Sequence, residues 1–231
     1  MRLITHTKTY LYVTMYDIIL VGDSIMRGLI WTLFHKDPQC KSISPCASVC
    51  GDTALYVAGF HAKDLPCVIN AIGSSYSPGS TVIVQTRAHV ECDDEKLLAY
   101  NRSWIHPLST FLLTRVPIPT VNWIGPTPQH FSDTGCFVHH GTRNCHPLTP
   151  TALHNNRIRD VYMRKLVPQQ FIYTPVIDIL RDMWYDHPGA TRKNNTDCTH
   201  YTHRGYSAIW DAVKIRTVLP PLFTRSRSHP Q

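Results

Sequence analysis

The chain has no C-x-x-C pair, no run of five like charges and no stretch approaching the ~18 consecutive apolar residues of a membrane-spanning helix. Each absence removes a class of function. Without a tight cysteine pair, the usual zinc module lacks its first two ligands. Without a long apolar run, no segment is expected to cross a bilayer. Without a basic run, the formal charge of +7 is spread over short clusters at Arg157–Arg159, Arg164–Lys165, Arg192–Lys193 and Arg225–Arg227. That spread reads as solvated surface rather than a nucleic-acid footprint. Charged residues are only 17% against 43% hydrophobic, which excludes a disordered chain or a coiled coil. No repeat recurs at a solenoid period. The start lacks the charged region, apolar core and small-residue cleavage site of a signal peptide, so no targeting segment is expected within it.

What is present fits one globular domain. The 231 residues suffice to bury a core without staples. The domain is assigned to residues 1–217, and residues 218–231, with Pro220-Pro221 and Arg225-Ser-Arg-Ser, are predicted to form a disordered basic tail. Eight cysteines in a loop-rich chain, with sequons at Asn101 and Asn194, suit disulfides and an oxidising compartment. Cys136, His139, His140, Cys145 and His146 crowd one short segment. A Cys136–Cys145 bridge closing a short loop is the expectation there, with zinc as the competing reading.

Asp17–Val21 is a short, continuous apolar run of the kind found in a strand covered on both faces. Gly22-Asp23-Ser24 breaks it, and apolar residues at 25, 26, 29, 30, 33 and 34 then predict a helix from Ile25 to Phe34. Further strands are predicted at Ala54–Val57, Thr81–Gln85, Thr120–Ile124 and Gln170–Thr174. Helices are predicted at Asp93–Arg115, divided or kinked by Pro107, at Leu153–Val167 and at Gly205–Ile215, with a short helix or turn over Val176–Tyr185. The rest of 36–80 reads as cysteine-rich and then loop, and 126–152 as one long loop. Strands alternating with helices predict an α/β fold, a three-layer sandwich around a central parallel sheet. Sites in such sheets lie at the carboxyl ends of the strands.

Ser24 occupies such an end, on the turn into a helix whose first N–H groups and dipole favour a developing negative charge. A hydroxyl nucleophile needs a base. Asp197-Cys-Thr-His200 offers one, because a carboxylate three residues from an imidazole can hold the tautomer that accepts the serine proton. Cys198, inside that turn, is read as half of a disulfide that pins it. Trp184, Tyr185 and Tyr201 are candidates for stacking on a ligand ring, with core packing as their competing role.

Val21-Gly22-Asp23-Ser24-Ile25-Met26-Arg27 resembles the G-D-S-x-x-R block of the PC-esterases, which include the trichome-birefringence-like proteins of the SGNH/GDSL hydrolase fold. Asp197-Cys198-Thr199-His200-Tyr201 resembles that family's D-C-x-H-W/Y block. Thr81 to His89, and Trp123 to Cys145 with Pro128-Gln129-His130-Phe131, resemble the middle blocks in family order. The resemblance implies an SGNH-like sandwich and acyl-enzyme chemistry, moving or removing O-acetyl groups on glycan hydroxyls. Ser24 would be the nucleophile, His200 the base and Asp197 its orienter, with the Ser24 amide in the oxyanion hole. The expected Asn-Gly oxyanion block is missing after the second long strand. Gly51, Gln85 and Thr86 are the candidates to replace it, and Arg27, His89 and His130 are candidates to touch substrate. No cofactor or metal is expected. The implied partners are an acyl donor and a glycan or polysaccharide acceptor, in the Golgi lumen or outside the cell. The competing functions are a glycan acetyl-esterase, a catalytically impaired carbohydrate-binding homologue and a zinc-stabilised nucleic-acid module.

Overall fold

The computed structural model describes residues 16–34, 40–51, 54–59, 61–85, 94–131, 145–191 and 197–218. Thr86, His89, Cys92, Cys136, the Asn194 sequon and the tail beyond residue 218 lie outside them. The Cys/His segment lies partly outside as well.

The chain opens with β1 (Ile18–Gly22) and α1 (Ser24–Leu33), then a hairpin of β2 (Lys41–Ser44) and β3 (Ala47–Cys50) leading into β4 (Ala54–Ala58). It continues with α2 (Leu65–Ser75), β5 (Thr81–Gln85), α3 (Asp94–Tyr100), α4 (His106–Leu113), β6 (Thr120–Ile124), α5 (Pro150–Leu166) and β7 (Ile172–Thr174). It ends with α6 (Ile177–Leu180), α7 (Pro188–Thr191) and α8 (His203–Arg216). The seven strands form one sheet in the order β2-β3-β4-β1-β5-β6-β7. The five from β4 to β7 are parallel, and β2 and β3 add an antiparallel edge.

Alternate strand residues feed two cores, as the pleat dictates. Ile19, Val21, Leu55, Val57, Val82, Val84 and Trp123 meet Val68 and Ile72 of α2, Trp104 and Leu108 of the α3–α4 segment, and Met163 of α5. Ile18, Leu20, Ile83 and Ile124 meet Met26, Leu29 and Ile30 of α1, Leu180 of α6, and Ile209, Trp210 and Val213 of α8. The fold is therefore the predicted α/β three-layer sandwich, with a mixed rather than wholly parallel sheet.

Three local differences from the sequence reading have physical causes. The hairpin β2–β3 and helix α2 replace the expected loops, and disulfides Cys40–Cys50 and Cys46–Cys67 tie the hairpin to the preceding chain and to α2. Pro107 divides its helix as expected: a single π-helical turn at Asn101–Ile105 joins α3 to α4, and the His106 amide donates to the Asn101 carbonyl. Asn101 stands half-buried in that turn, within the predicted helix. The expected Cys136–Cys145 bridge does not form, because Cys145 is bonded to Cys198.

α1 and α8 approach closely because Gly28 has no side chain: a Cβ there would lie 2.0 Å from the Tyr206 ring. Alanine normally gains about 1 kcal/mol over glycine within a helix. Here Gly28→Ala is expected instead to destabilise by about 1–3 kcal/mol through overpacking. The check is the denaturant midpoint, and an increase would contradict this packing.

Candidate active site

β1 is the point at which the sheet's order reverses: β4 lies on one side of it and β5 on the other. Open α/β sheets leave a crevice at such a switch point, outside the carboxyl ends of the strands. The turn at that end is tight. A Cβ on Gly22 would stand 2.9 Å from that of Met26 and 3.3 Å from that of Gln85. Asp23 caps α1, its Oδ1 accepting from the Ile25 amide at 2.9 Å, and its carbonyl accepts from the Tyr56 hydroxyl at 3.1 Å. Burial, then the neighbouring Asp23 charge, pushes the Tyr56 hydroxyl up to about 12, so it remains a donor. Ser24 is thus the exposed first residue of α1, on a turn fixed from both sides.

The segment 197–202 meets Ser24 from the far end of the chain. His200 Nε2 lies 2.6 Å from Ser24 Oγ, and His200 Nδ1 lies 2.8 Å from Asp197 Oδ2. Asp197 is ionised, so Nδ1 carries the proton and donates to it. That leaves Nε2 as an acceptor for the serine hydroxyl. The other carboxylate oxygen, Oδ1, accepts from the amides of Thr199 and His200, each at 3.0 Å.

The electrostatics follow from these bonds. Burial would raise the Asp197 carboxyl, but the hydrogen bonds from the His200 ring and from the His200 and Thr199 amides outweigh it and hold the group down to about 2. The bond to Asp197 raises His200 above its ordinary value, against the opposing effect of burial, and the Asp197 and Asp23 charges add to the rise.

The segment carrying Asp197 and His200 is clamped from three directions. The Cys145–Cys198 disulfide holds one side. The chain before residue 131 holds another: the His130 amide donates to the Cys198 carbonyl at 3.1 Å, and the Tyr201 hydroxyl to the Pro128 carbonyl at 2.6 Å. From 186–189, the Gly189 amide donates to the Asp197 carbonyl at 2.8 Å, and the Asp186 carbonyl accepts from the Thr202 amide at 2.6 Å. Gly189 must be small there, since its Cβ would stand 2.8 Å from Cys145 Sγ.

The other candidates separate. Arg27 lines the same cleft of about 670 Å³ as Ser24, with Trp31, Thr32, His203 and Tyr206. Gln85 is buried at the end of β5, against Gly22. Gly51 does not join them. Cys50 pairs with Ala54, and Ala54 is level with Ile18 at the start of β1, so Gly51 sits at the opposite edge of the sheet from Ser24. His130 does not reach substrate: it is 0% exposed, and both its ring nitrogens face other protein groups. Tyr201 is buried, and Trp184 packs edge-on against Tyr185. The aromatic surface open to the cleft is Trp31, 45% exposed, with the Arg27 guanidinium 5.3 Å from its ring centre. The sequence reading missed Trp31, which lies in the predicted helix but off its apolar spacing, the one signal that could have marked it as a surface aromatic. It also missed His187, one of fourteen histidines with no telling spacing. Among the described residues no group of three His, Cys, Asp or Glu side chains is arranged to hold a metal, and Cys145, one of the zinc candidates, is committed to its disulfide.

No protein-family model matches the sequence, and no curated protein matches it significantly. Solved structures do. One, assigned as a platelet activating factor from Streptococcus pneumoniae, superposes with a TM-score of 0.54 at 14% identity, over 89% of this chain and 86% of that one. Another is the C-terminal catalytic domain of a peptidoglycan O-acetyltransferase of the same organism, with a TM-score of 0.46 at 13% identity, over 88% and 93% of the two chains. The first likeness shows a shared fold.

The depressed Asp197 carboxyl has a consequence for stability. Its contribution is fully present above the ordinary carboxyl value and is lost as pH falls from about 4 through about 2. Wild type is expected to lose stability over that window more steeply than Asp197→Asn, as measured by denaturant midpoints at successive pH values. Equal losses would show that the carboxylate is not held as described.

Proposed function

We propose that the protein is a serine-dependent acyl-transfer enzyme that moves or removes acetyl groups on carbohydrate hydroxyls. The observation that carries this reading is the continuous hydrogen-bonded path from Asp197 Oδ2 through the His200 ring to Ser24 Oγ. In that path His200 Nε2 takes the Ser24 proton as Oγ attacks an ester carbonyl, and Asp197 stabilises the imidazolium that forms. The tetrahedral oxyanion develops at the head of α1. The Ser24 amide, which as the first of the helix has no partner within it, is placed to donate there. His200 then returns the proton to the leaving alcohol. Water or a sugar hydroxyl, deprotonated by the same imidazole, completes the cycle as esterase or transferase.

The glycan part of the proposal rests on the likeness of the 21–27 and 197–201 blocks to PC-esterases and on the open cleft beside Ser24. There Trp31 offers a flat apolar face and Arg27 a hydrogen-bonding cation, the pair of surfaces that sugar rings use. The three disulfides among the described residues suit an oxidising compartment, the Golgi lumen or the cell exterior. No described helix is long and apolar enough to cross a membrane.

Release of acetate from an activated acetyl ester, and from O-acetylated xylan or peptidoglycan, tests the reading. Ser24→Ala and His200→Ala are each expected to abolish it, and Asp197→Asn, which favours the wrong imidazole tautomer, to lower kcat by about 10⁴-fold. Activity surviving Ser24→Ala would defeat the assignment. Glycan binding without turnover by the wild type would favour the impaired, binding-only homologue. Because the Asp197 bond raises His200, the acidic limb of kcat/KM is expected to have its midpoint above about 6.5, activity rising as the ring loses its proton. A midpoint below that value would contradict the described bond.

A further inference from the structure

Two histidines that the proposed chemistry does not use lie directly behind His200. His187 and His130 are both 0% exposed. His187 Nδ1 lies 2.6 Å from the His200 carbonyl, His187 Nε2 lies 2.7 Å from His130 Nδ1, and His130 Nε2 lies 3.1 Å from the Arg181 carbonyl. Both ends of this chain are carbonyl oxygens, which only accept. The two rings must therefore donate outward at each end and still share a proton between them. Three contacts call for three protons, and two neutral imidazoles carry two.

The distances and the burial decide which contact goes without. Burial pushes His130 down to about 4. Burial, followed by His130 as a neighbour, pushes His187 down to about 3. The Arg181 carbonyl and then Asp182 oppose the shift at His130, and the His200 carbonyl and Asp197 oppose it at His187, without overcoming it. A third proton is thus absent at neutral pH. The two short contacts take the two protons, and the longer one, to the Arg181 carbonyl, is left without.

From this arrangement we infer that His187 is a positioning residue for His200: it donates from Nδ1 to the His200 carbonyl and is held in that tautomer by a donor bond from His130 Nδ1. The inference rests on the reading of His200 as the base. It repeats, one step further from Ser24, the way Asp197 fixes the His200 ring. The His200 amide is already bound to Asp197 Oδ1, so the carbonyl bond holds the peptide unit on its other side. That matters because His200 precedes α8 and has no helix of its own to fix it. Packing alone, through the His187–Tyr201 ring contact at 4.2 Å, requires no particular tautomer.

Nitrogen-15 NMR of the wild-type protein labelled at histidine tests the tautomer without any variant. At neutral pH the His187 proton is expected on Nδ1, the less common form of free imidazole, and His130 is expected to carry a proton on its own Nδ1. A His187 proton on Nε2 would overturn the inference. Two substitutions then test the coupling. His187→Leu removes the donor, so the Asp197–His200 bond loosens, the His200 titration moves to lower pH, and kcat falls by about 10²-fold with KM unchanged, the scale of loss for a misplaced catalytic group. His187→Asn keeps an N–H where Nδ1 stood and is expected to restore most of both. An unchanged His200 titration in His187→Leu, or equal impairment in the Leu and Asn variants, would also overturn it. The NMR readouts need no turnover, so they separate failure of this inference from failure of the proposed activity. If the Leu variant does not fold, the wild-type tautomer decides.

Discussion

The short contact between Ser24 Oγ and His200 Nε2 joins residues 176 positions apart, and much of the surrounding structure serves to hold its two ends still. On the serine side, rigidity comes from β1. All five of its residues are buried, strands flank it on both edges and core lies on both faces, so the turn that follows has one available position. On the histidine side there is no such strand. The 197–202 segment is irregular, and its fixity comes from a disulfide, four backbone or tyrosine hydrogen bonds and the buried histidine pair behind it. An unbraced loop would lose the contact through conformational entropy alone, since one hydrogen bond contributes about 1 kcal/mol net and ordering one residue's backbone costs as much or more.

The elements that define this geometry were legible because their signals are local. Thr81–Gln85 and Thr120–Ile124 are short runs rich in β-branched and aromatic residues, each preceded by a proline-containing turn, and the strands occupy those residues. The helix after Gly22-Asp23-Ser24 shows its apolar spacing directly. Between 36 and 80 the signals compete. Lys41–Cys50 alternates weakly, in serines and cysteines rather than large apolar residues, and its pairing is reinforced by disulfides that the sequence does not pair. α2 carries apolar residues at 65, 68, 69 and 72 with Pro66 in its first turn, but Gly73-Ser74-Ser75 disguised its end as loop.

The candidate site divides along the same line. Ser24, Asp197 and His200 could be nominated because each sits in a short motif with a chemical rationale, and the structure brings them within hydrogen-bonding reach. Gly51 could not be placed without the register of β3 against β4, which sends it to the far edge of the sheet. His130 lies in a block that resembles a family motif, yet its ring points inward to another histidine. His187 had no signal at all, because its importance lies in what it faces. The Cys145–Cys198 bond has the same character: only the fold reveals that the cysteine inside the D-x-x-H turn is tied to the segment before α5.

The most direct measurement of the central claim is mass spectrometry of the protein after brief reaction with an activated acetyl ester and an acid quench. One acetyl group is expected on the peptide containing Ser24, absent from Ser24→Ala and accumulating far more slowly in His200→Ala. Ester turnover with no acetyl on that serine, or with the acetyl carried by a different residue, would contradict it.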